Sequence, residues 1–227
     1  MKIYTARMHQ KFQYRATWLP QVKMEIGQIG KFYDKKWVVE GHLSDLGIDV
    51  TAATNEVDGG LEFTSQGGVN ISTKLKGGSA NVIANVADAA ADVTIAFSKE
   101  NAIVFKANKV KLHRLEKKMF LKDKILDLWK KGSWDKDYLI VSEVMEAASA
   151  TIIVSGGADA KIELNATGDI GGKAFDIADA EAGFQVAKNN NIGVQVIAES
   201  SITPLYNVLD IRKAFFSKAD LVPRNVD

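Results

Sequence analysis

The fold of this chain is constrained most by two long tracts of alternating apolar and polar residues, Val69 to Phe105 and Ala148 to Ala198. In the second tract, Ile152 and Val154 fall on even positions, while polar residues such as Thr151 fall on odd ones. Because successive side chains of a strand point to opposite faces, both tracts predict long strands with one apolar and one polar face. The wall of a membrane barrel and a half-buried soluble sheet share this pattern, so the tracts alone leave both open.

Each tract predicts a hairpin, and the arms of the first are roughly 15 residues long, longer than the usual ~5–6 of a soluble strand. In the first tract the alternation changes phase at Gly77 and Gly78, which predicts a bulge. The tip then falls at Asp88 to Ala90, and the return strand runs from Ala91 to Phe97. The second hairpin turns at Thr167 to Lys173. The residues predicted on the membrane-facing sides of the hairpins are Val82, Ala84, Val86, Val93, Ile95, Phe97, Ala158, Ala160, Ile162 and Leu164.

The remaining sequence predicts shorter elements around these hairpins. Strands are predicted at Phe12 to Trp18, Lys23 to Ile29, Lys36 to Val39, Tyr138 to Val144 and Ile202 to Ile211, with a helical turn at Leu43 to Ile48 and another hairpin turning at Asn189 to Asn191. Together they predict a single α+β domain over residues 1–227. Its sheet is twisted and mostly antiparallel, with a basic helical segment and two long hairpin regions.

The basic helical segment is predicted over Lys109 to Lys131, where Gly132 ends it. Its apolar residues, at spacings of three and four, are Leu112, Leu115, Met119, Leu121, Ile125 and Leu128. The opposite face is predicted to carry Lys117, Lys118, Lys122, Lys124, Lys130 and Lys131.

The basic residues of this segment are concentrated in a chain that is otherwise balanced. Residues 106–131 contain ten Lys or Arg against three Asp or Glu, although the whole chain has a net charge of +1. A solvated helix face is one interpretation; the other is an anionic leaflet, which attracts each lysine by roughly 1 kcal/mol. The segment lacks interleaved aromatic residues for stacking on bases, so nucleic acid is not predicted as a partner.

The sequence contains no recognisable catalytic or cofactor-binding constellation. Cys is absent, which excludes thiolate metal sites and lipidated cysteine, and the three histidines lack metal-ligand spacing. No serine elbow is found, and Gly168 to Lys173 is one residue short of a phosphate loop. We therefore predict no catalytic residue, no metal and no cofactor. The charged N-terminus predicts no secretory signal, so the chain is expected to start in the cytoplasm, and any membrane entry is expected to use strands.

The order of these elements resembles the pore-forming domain of gasdermins, particularly the short bacterial members. The shared order is short N-terminal strands, a long hairpin rich in Gly and Ala, a basic helical segment, a strand, a second hairpin and a closing strand. It extends over about Phe12 to Phe216, and the two strings that carry it best are Tyr138 to Val144 (YLIVSEV) and Thr203 to Leu205 (TPL).

The resemblance implies a soluble monomer whose hairpins extend and join those of other copies in a large membrane β-barrel that kills the cell. The expected partners are then an anionic lipid membrane, further copies of the chain and an activating protease. Bacterial members end in a short inhibitory tail that a protease removes, and this chain departs from that pattern, since only residues 217–227 follow the last predicted strand, with Leu221 and Val222 as the residues expected to pack back. Three alternatives stay open: the tail is this short, regulation differs, or the chain ends at an activation site. The protein is expected in the cytoplasm when inactive and at the inner membrane when active.

The competing interpretation is a soluble β-rich binding or self-assembly module without membrane activity. Its long hairpins would pair with other copies or with a partner sheet. An enzyme of undetected type is the weakest alternative.

Overall fold

The computed structural model describes residues 2–19, 22–34, 36–75, 91–166, 176–212 and 219–224. The two helices are α1 (Lys2–Phe12) and α2 (Lys118–Lys130). The strands are β1 (Arg15–Ala16), β2 (Gln28–Tyr33), β3 (Lys36–His42), β4 (Ala52–Val57), β5 (Leu61–Thr64), β6 (Val69–Leu75), β7 (Ala91–Phe97), β8 (Ile103–Leu115), β9 (Leu139–Ser155), β10 (Lys161–Asn165), β11 (Gln185–Asn190), β12 (Ile192–Arg212) and β13 (Asp220–Pro223). This is the mostly antiparallel α+β fold that the sequence predicts.

The chain divides into two compact units, which are described in turn. Unit 1 comprises Met1–Val57, Lys111–Glu146 and Thr203–Asp227, and unit 2 comprises Asp58–Val110 and Ala147–Ile202. The single domain over residues 1–227 stays a prediction.

Unit 1 is built on a sheet with the strand order β1-β12-β9-β2-β3, and β13 pairs with β12. Helix α2 packs on this unit through Leu121 and Ile125, which lie in one buried cluster with Ile29, Leu43 and Ile140. Residues four apart lie on the same face of a helix, so these two side chains fix which face of α2 is buried.

Unit 2 contains a four-stranded antiparallel sheet in the order β11-β10-β7-β6. Ile162 on β10 lies opposite Ile95 on β7, and Ile95 lies opposite Ile71 on β6. One face of this sheet packs against residues from β8 and β9, including Val104 and Ile153. The alternation predicted for Ala91 to Phe97 is confirmed, since β7 has these bounds and its odd-numbered residues from 93 onward are buried.

The N-terminal prediction is wrong in part. Helix α1 occupies residues up to Phe12, the predicted strand Phe12 to Trp18 shrinks to β1, and β2 begins only at Gln28. The helix is fixed by Tyr4 and Met8, which are four residues apart and buried. Two buried residues one turn apart are a weak helical signal, because the rest of the segment is mostly polar or charged.

The predicted helix Lys109 to Lys131 is wrong in its first third. Strand β8 continues to Leu115, and α2 begins at Lys118. Around Val110 and Leu112 buried and exposed residues alternate, which is the period of a strand. Lys117, with φ of 50°, precedes the helix in the left-handed region.

The second tract is interrupted by a turn, so its predicted continuous apolar face ends at Ser155. Ala158 is exposed in the turn, and β10 resumes at Lys161 in the four-stranded sheet. The backbone of Asn191 approaches this turn closely, accepting a hydrogen bond from the Gly156 N–H at 2.8 Å. A Cβ on Gly156 would lie 2.8 Å from the Asn191 side chain, which explains why glycine occupies the position.

The hairpin predicted to turn at Asn189 to Asn191 is also corrected. The chain does turn there, with Asn191 at a φ of 52°, but β11 pairs with β10 and β12 belongs to the other sheet. The predicted features at Gly77 and Gly78, at Asp88 to Ala90 and at Thr167 to Lys173 lie outside the described residues.

Candidate functional site

Helix α2 carries the predicted lysine face on the outside of unit 1. Because Leu121 and Ile125 are buried, the polar side of the helix points to solvent. Lys117, Lys118, Lys124, Lys130 and Lys131 are exposed, and Lys122 is half-buried. We call this set of six the α2 lysine surface.

Three of the six lysines have acidic partners. Lys118 lies 4.0 Å from Glu143, Lys122 lies 2.8 Å from Asp220, and Lys130 lies 3.4 Å from Asp127. Within the residues that the structure describes, Lys117, Lys124 and Lys131 form no ion pair. These three side chains therefore supply positive charge that no described carboxylate neutralises.

Two large apolar side chains lie among these lysines. Met119 is 83% exposed and Phe120 is 74% exposed, both in the first turn of α2. The sequence analysis placed Met119 on the buried face and did not assign Phe120. The error came from the predicted start of the helix. Leu121 and Ile125 define the buried face of α2. Met119 precedes Leu121 by two residues, which is about half a turn, so it lies on the opposite side of the helix.

A cluster centred on Glu143 lies beside the start of α2. Tyr14 donates a hydrogen bond to Glu143 Oε2 at 2.8 Å, and Asn207 Nδ2 donates to the same oxygen at 3.3 Å. Arg114 Nε lies 3.5 Å from Oε1, the oxygen that faces Lys118. Burial, together with the bond to Glu143, raises the pKa of Tyr14 to about 12. The cluster thus ties α2 to its unit and neutralises part of the charge at the helix start.

The described part of the C-terminal tail, residues 219–224, lies beside α2. Strand β13 pairs antiparallel with β12, placing Leu221 opposite Ile211 and Val222 opposite Asp210. Leu221 packs against the cluster that contains the buried residues of α2. Arg224 secures the end of the strand, since its N–H donates to the Val208 oxygen at 3.1 Å. The fold therefore brings Leu221 and Lys122, two residues singled out in the sequence, onto neighbouring parts of unit 1.

The predicted hairpin-face residues lie in unit 2. Val93, Ile95, Phe97, Ala160, Ile162 and Leu164 are buried in its core. Ala158 is exposed in its turn, and Val82, Ala84 and Val86 lie outside the described residues. In this structure, the apolar residues of β7 and β10 are therefore covered by protein.

The described residues provide no arrangement for metal binding, since no three His, Asp or Glu side chains are grouped in them as ligands. His113 instead bridges Thr54 and Glu146, with 2.9 Å between each pair of bonded atoms. None of the helices in the described ranges has the length and apolar character needed to cross a membrane.

Comparison with known proteins gives a similarity to a solved structure. No protein-family model matches the chain, and no curated protein matches it. A solved structure, the cryo-EM structure of the gasdermin A3 membrane pore, aligns with 96% of this chain and 92% of its own. The identity is 12% and the TM-score is 0.40, a value that does not by itself establish a common fold.

The contact between Asp220 and Lys122 predicts a measurable pKa. The hydrogen bond from Lys122 lowers the Asp220 pKa below its ordinary 3.8, and the Leu221 N–H adds to the effect. A depressed carboxyl pKa contributes stability above about pH 4, and that contribution is lost as pH falls through the folded-state pKa. We expect Lys122→Met to raise the Asp220 pKa, measured by carboxyl-carbon NMR titration. Lys124→Met is the matched control and should leave that pKa unchanged; equal pKa values in all three proteins would contradict the contact.

Proposed function

We propose that this protein is a gasdermin-like pore-forming effector that binds anionic membrane and assembles into a transmembrane β-barrel. One observation carries the proposal. The stems of both predicted hairpins lie side by side in one antiparallel sheet, with β6 paired to β7, β7 to β10, and β10 to β11. A barrel wall needs such a run of adjacent antiparallel strands, with every side-chain row alternating between two faces.

The strand chemistry suits two environments. Val93, Ile95, Ile162 and Leu164 form an apolar row that is buried in the resting protein. Residues on the opposite face, such as Glu163, are polar. If the strands extend and join those of other copies, the apolar row faces lipid and the polar row faces water. Closure of the barrel then pairs every backbone N–H and C=O, which hydrocarbon requires.

The α2 lysine surface gives the proposal its first step. Each lysine near an anionic leaflet contributes roughly 1 kcal/mol, so the three without partners supply about 3 kcal/mol before any strand inserts. Attraction of this kind recruits the protein reversibly and weakens as salt screens it. Homo-oligomerisation at the membrane follows from the raised local concentration.

We propose further that the tail restrains the resting form. Leu221 packs beside the buried residues of α2, and Asp220 forms an ion pair with Lys122, one of the proposed lipid-binding lysines. Removal of the tail would free that lysine and the strand edge of β12. A protease that cuts before Asp220 is the partner that this arrangement suits.

The second candidate function is self-assembly without membrane. It is favoured by β11, which lies at the edge of its sheet and whose residues are mostly exposed. An exposed strand edge is a template for pairing with another chain. The vesicle experiments below distinguish the two functions.

The first test concerns recruitment by the lysines. We expect the triple variant K117E/K124E/K131E to lose at least about 100-fold in affinity for anionic vesicles, because three attractive charges are removed and replaced by repulsive ones. The matched control, K23E/K99E/K188E, changes the charge equally at exposed positions that do not belong to the α2 lysine surface. Co-sedimentation with vesicles measures both. Equal losses in the two variants would show that net charge, not this surface, governs binding.

The second test concerns the barrel face. Ala158 is exposed in the resting protein, so Ala158→Asp should leave its stability unchanged. In the proposed barrel Ala158 faces lipid, where an introduced charge costs about 2–4 kcal/mol near the midplane. We expect at least about ten-fold slower dye release from anionic vesicles. Lys161→Asp, on the proposed lumen side, is the control; equal effects of the two changes would exclude the assigned faces.

The third test concerns the tail. Leu221→Asp, or deletion of Ser217 to Asp227, should increase the initial rate of dye release about ten-fold. Burial of a leucine side chain contributes about 1.5–3 kcal/mol when complete, and somewhat less when partial as here. Pro223→Ser, at an exposed position of the same strand, is the control and should behave as wild type. Unchanged release rates in both altered proteins would place the restraint elsewhere.

A further inference from the structure

We infer that Met119 and Phe120 form an apolar wedge that enters the acyl region of an anionic bilayer. The inference rests on the proposed function only in requiring that such a membrane is bound. It assigns to α2 a second mode of contact, in which insertion of side chains adds to the attraction between lysines and head groups.

The first argument is the exposure of the pair. Met119 and Phe120 are exposed by 83% and 74%, whereas Leu19, at 57%, is the next most exposed of the large apolar residues described. They are adjacent in sequence and lie on the side of α2 away from Leu121 and Ile125. Exposed apolar side chains that adjoin one another indicate a surface that is covered in some functional state.

The second argument is the charge around the pair, which selects the occupant. Four lysines, Lys117, Lys118, Lys122 and Lys124, flank the wedge against two carboxylates, Glu116 and Asp123, and the first turn of α2 contains no acidic residue. A surface that covers the wedge must therefore be apolar at its centre and anionic around it. A bilayer of anionic lipids has this arrangement, with acyl chains beneath a layer of negative head groups.

The third argument is the stability of the helix that presents the pair. Leu121 is 5% exposed and Ile125 is fully buried, and the Glu143 cluster holds the side chains of Arg114 and Lys118 at the helix start. Met119 and Phe120 are thus presented by an anchored element. Ordering of the helix adds no cost at the moment of binding, which favours insertion of even two side chains.

Insertion and electrostatic attraction differ in their response to salt. Attraction between exposed charges weakens as the Debye length shortens from about 10 Å at 0.1 M salt to about 3 Å at 1 M. Burial of apolar area in the acyl region is not screened in this way. The wedge therefore predicts a fraction of vesicle binding that survives high salt and that disappears when the two side chains are made polar.

The experiment uses the full chain with vesicles of phosphatidylglycerol and phosphatidylcholine, at low and high salt. The test variant is Met119→Ser with Phe120→Ser, and the control is Val38→Ser with Val39→Ser, two exposed apolar positions on β3. We expect the test variant to lose at least about ten-fold in affinity and all salt-resistant binding, while the control binds as wild type. Circular dichroism checks that each variant folds.

A second measurement keeps the inference falsifiable if the double variant does not fold. Phe120→Trp places an added fluorophore in the wedge, beside the four tryptophans already present. Quenching by lipids brominated in their acyl chains should exceed that of the wild-type protein. Quenching equal to wild type would overturn the wedge.

The outcomes separate this inference from the proposed function. If K117E/K124E/K131E loses binding while M119S/F120S binds as wild type, the wedge is overturned and the membrane function stands. If the wild-type protein does not bind anionic vesicles, both fail. If M119S/F120S alters sedimentation of the protein without vesicles, the pair mediates contact between copies, and the wedge is again overturned.

Discussion

The need to cover one apolar sheet face governs the unit that contains the proposed hairpins. Ile95, Ile162 and Leu164 are fully buried, and each such side chain contributes about 1.5–3 kcal/mol when removed from water. In the resting protein the cover is supplied by the layer that contains Val104 and Ile153. Hydrocarbon would cover the same face equally well, because the alternation of apolar and polar rows belongs to the strands and not to their surroundings. The tracts that allow a resting core are therefore compatible with the proposed barrel without any change of sequence.

Helix α2 also has one buried apolar face, which decides what its other side presents to solvent. Its buried side is fixed by Leu121 and Ile125, so its lysines and its two exposed apolar residues face outward as a consequence of packing. Neighbouring carboxylates neutralise part of the positive charge of these lysines. Glu143 and Asp220 each engage one lysine of the surface, and both side chains are held by further contacts within unit 1. The charge that remains available to a membrane is thus set by the fold as well as by the composition.

Local pattern predicted two of the strands well and the helix boundaries poorly. The return strand Ala91 to Phe97 was predictable because a period of two over seven residues has few alternatives, and the strand starting near Tyr138 was predictable from its continuous apolar run. Lys109 to Leu115 contains apolar residues at spacings of both two and three, and the pairing of β8 within the sheet decides for the strand. Local spacing could not have shown this, because pairing depends on distant strands.

The arrangement of the candidate site was still less accessible to sequence reasoning. The lysines themselves were identified from their spacing, but the Glu143 cluster was not, since Tyr14 lies 129 residues from its partner in sequence. Ala158 was assigned to a strand because its parity fits, yet the chain turns there around two glycines that Asn191 approaches closely. Contacts between distant segments, which no periodicity encodes, determined both results.

The tail and the proposed membrane contact share one residue, and this links them thermodynamically. The carboxylate of Asp220 neutralises the charge of Lys122, which therefore attracts an anionic lipid head group less strongly while the tail is in place. Coupling of this kind is reciprocal: whatever the tail subtracts from membrane affinity, the membrane subtracts from the affinity of the tail for its site. The exposed salt bridge alone is a weak restraint, so the coupling depends on Leu221, whose burial accompanies the ion pair in the same strand. The proposed restraint therefore rests on a strand that pairs over four residues, on its ion pair with Lys122 and on the burial of Leu221.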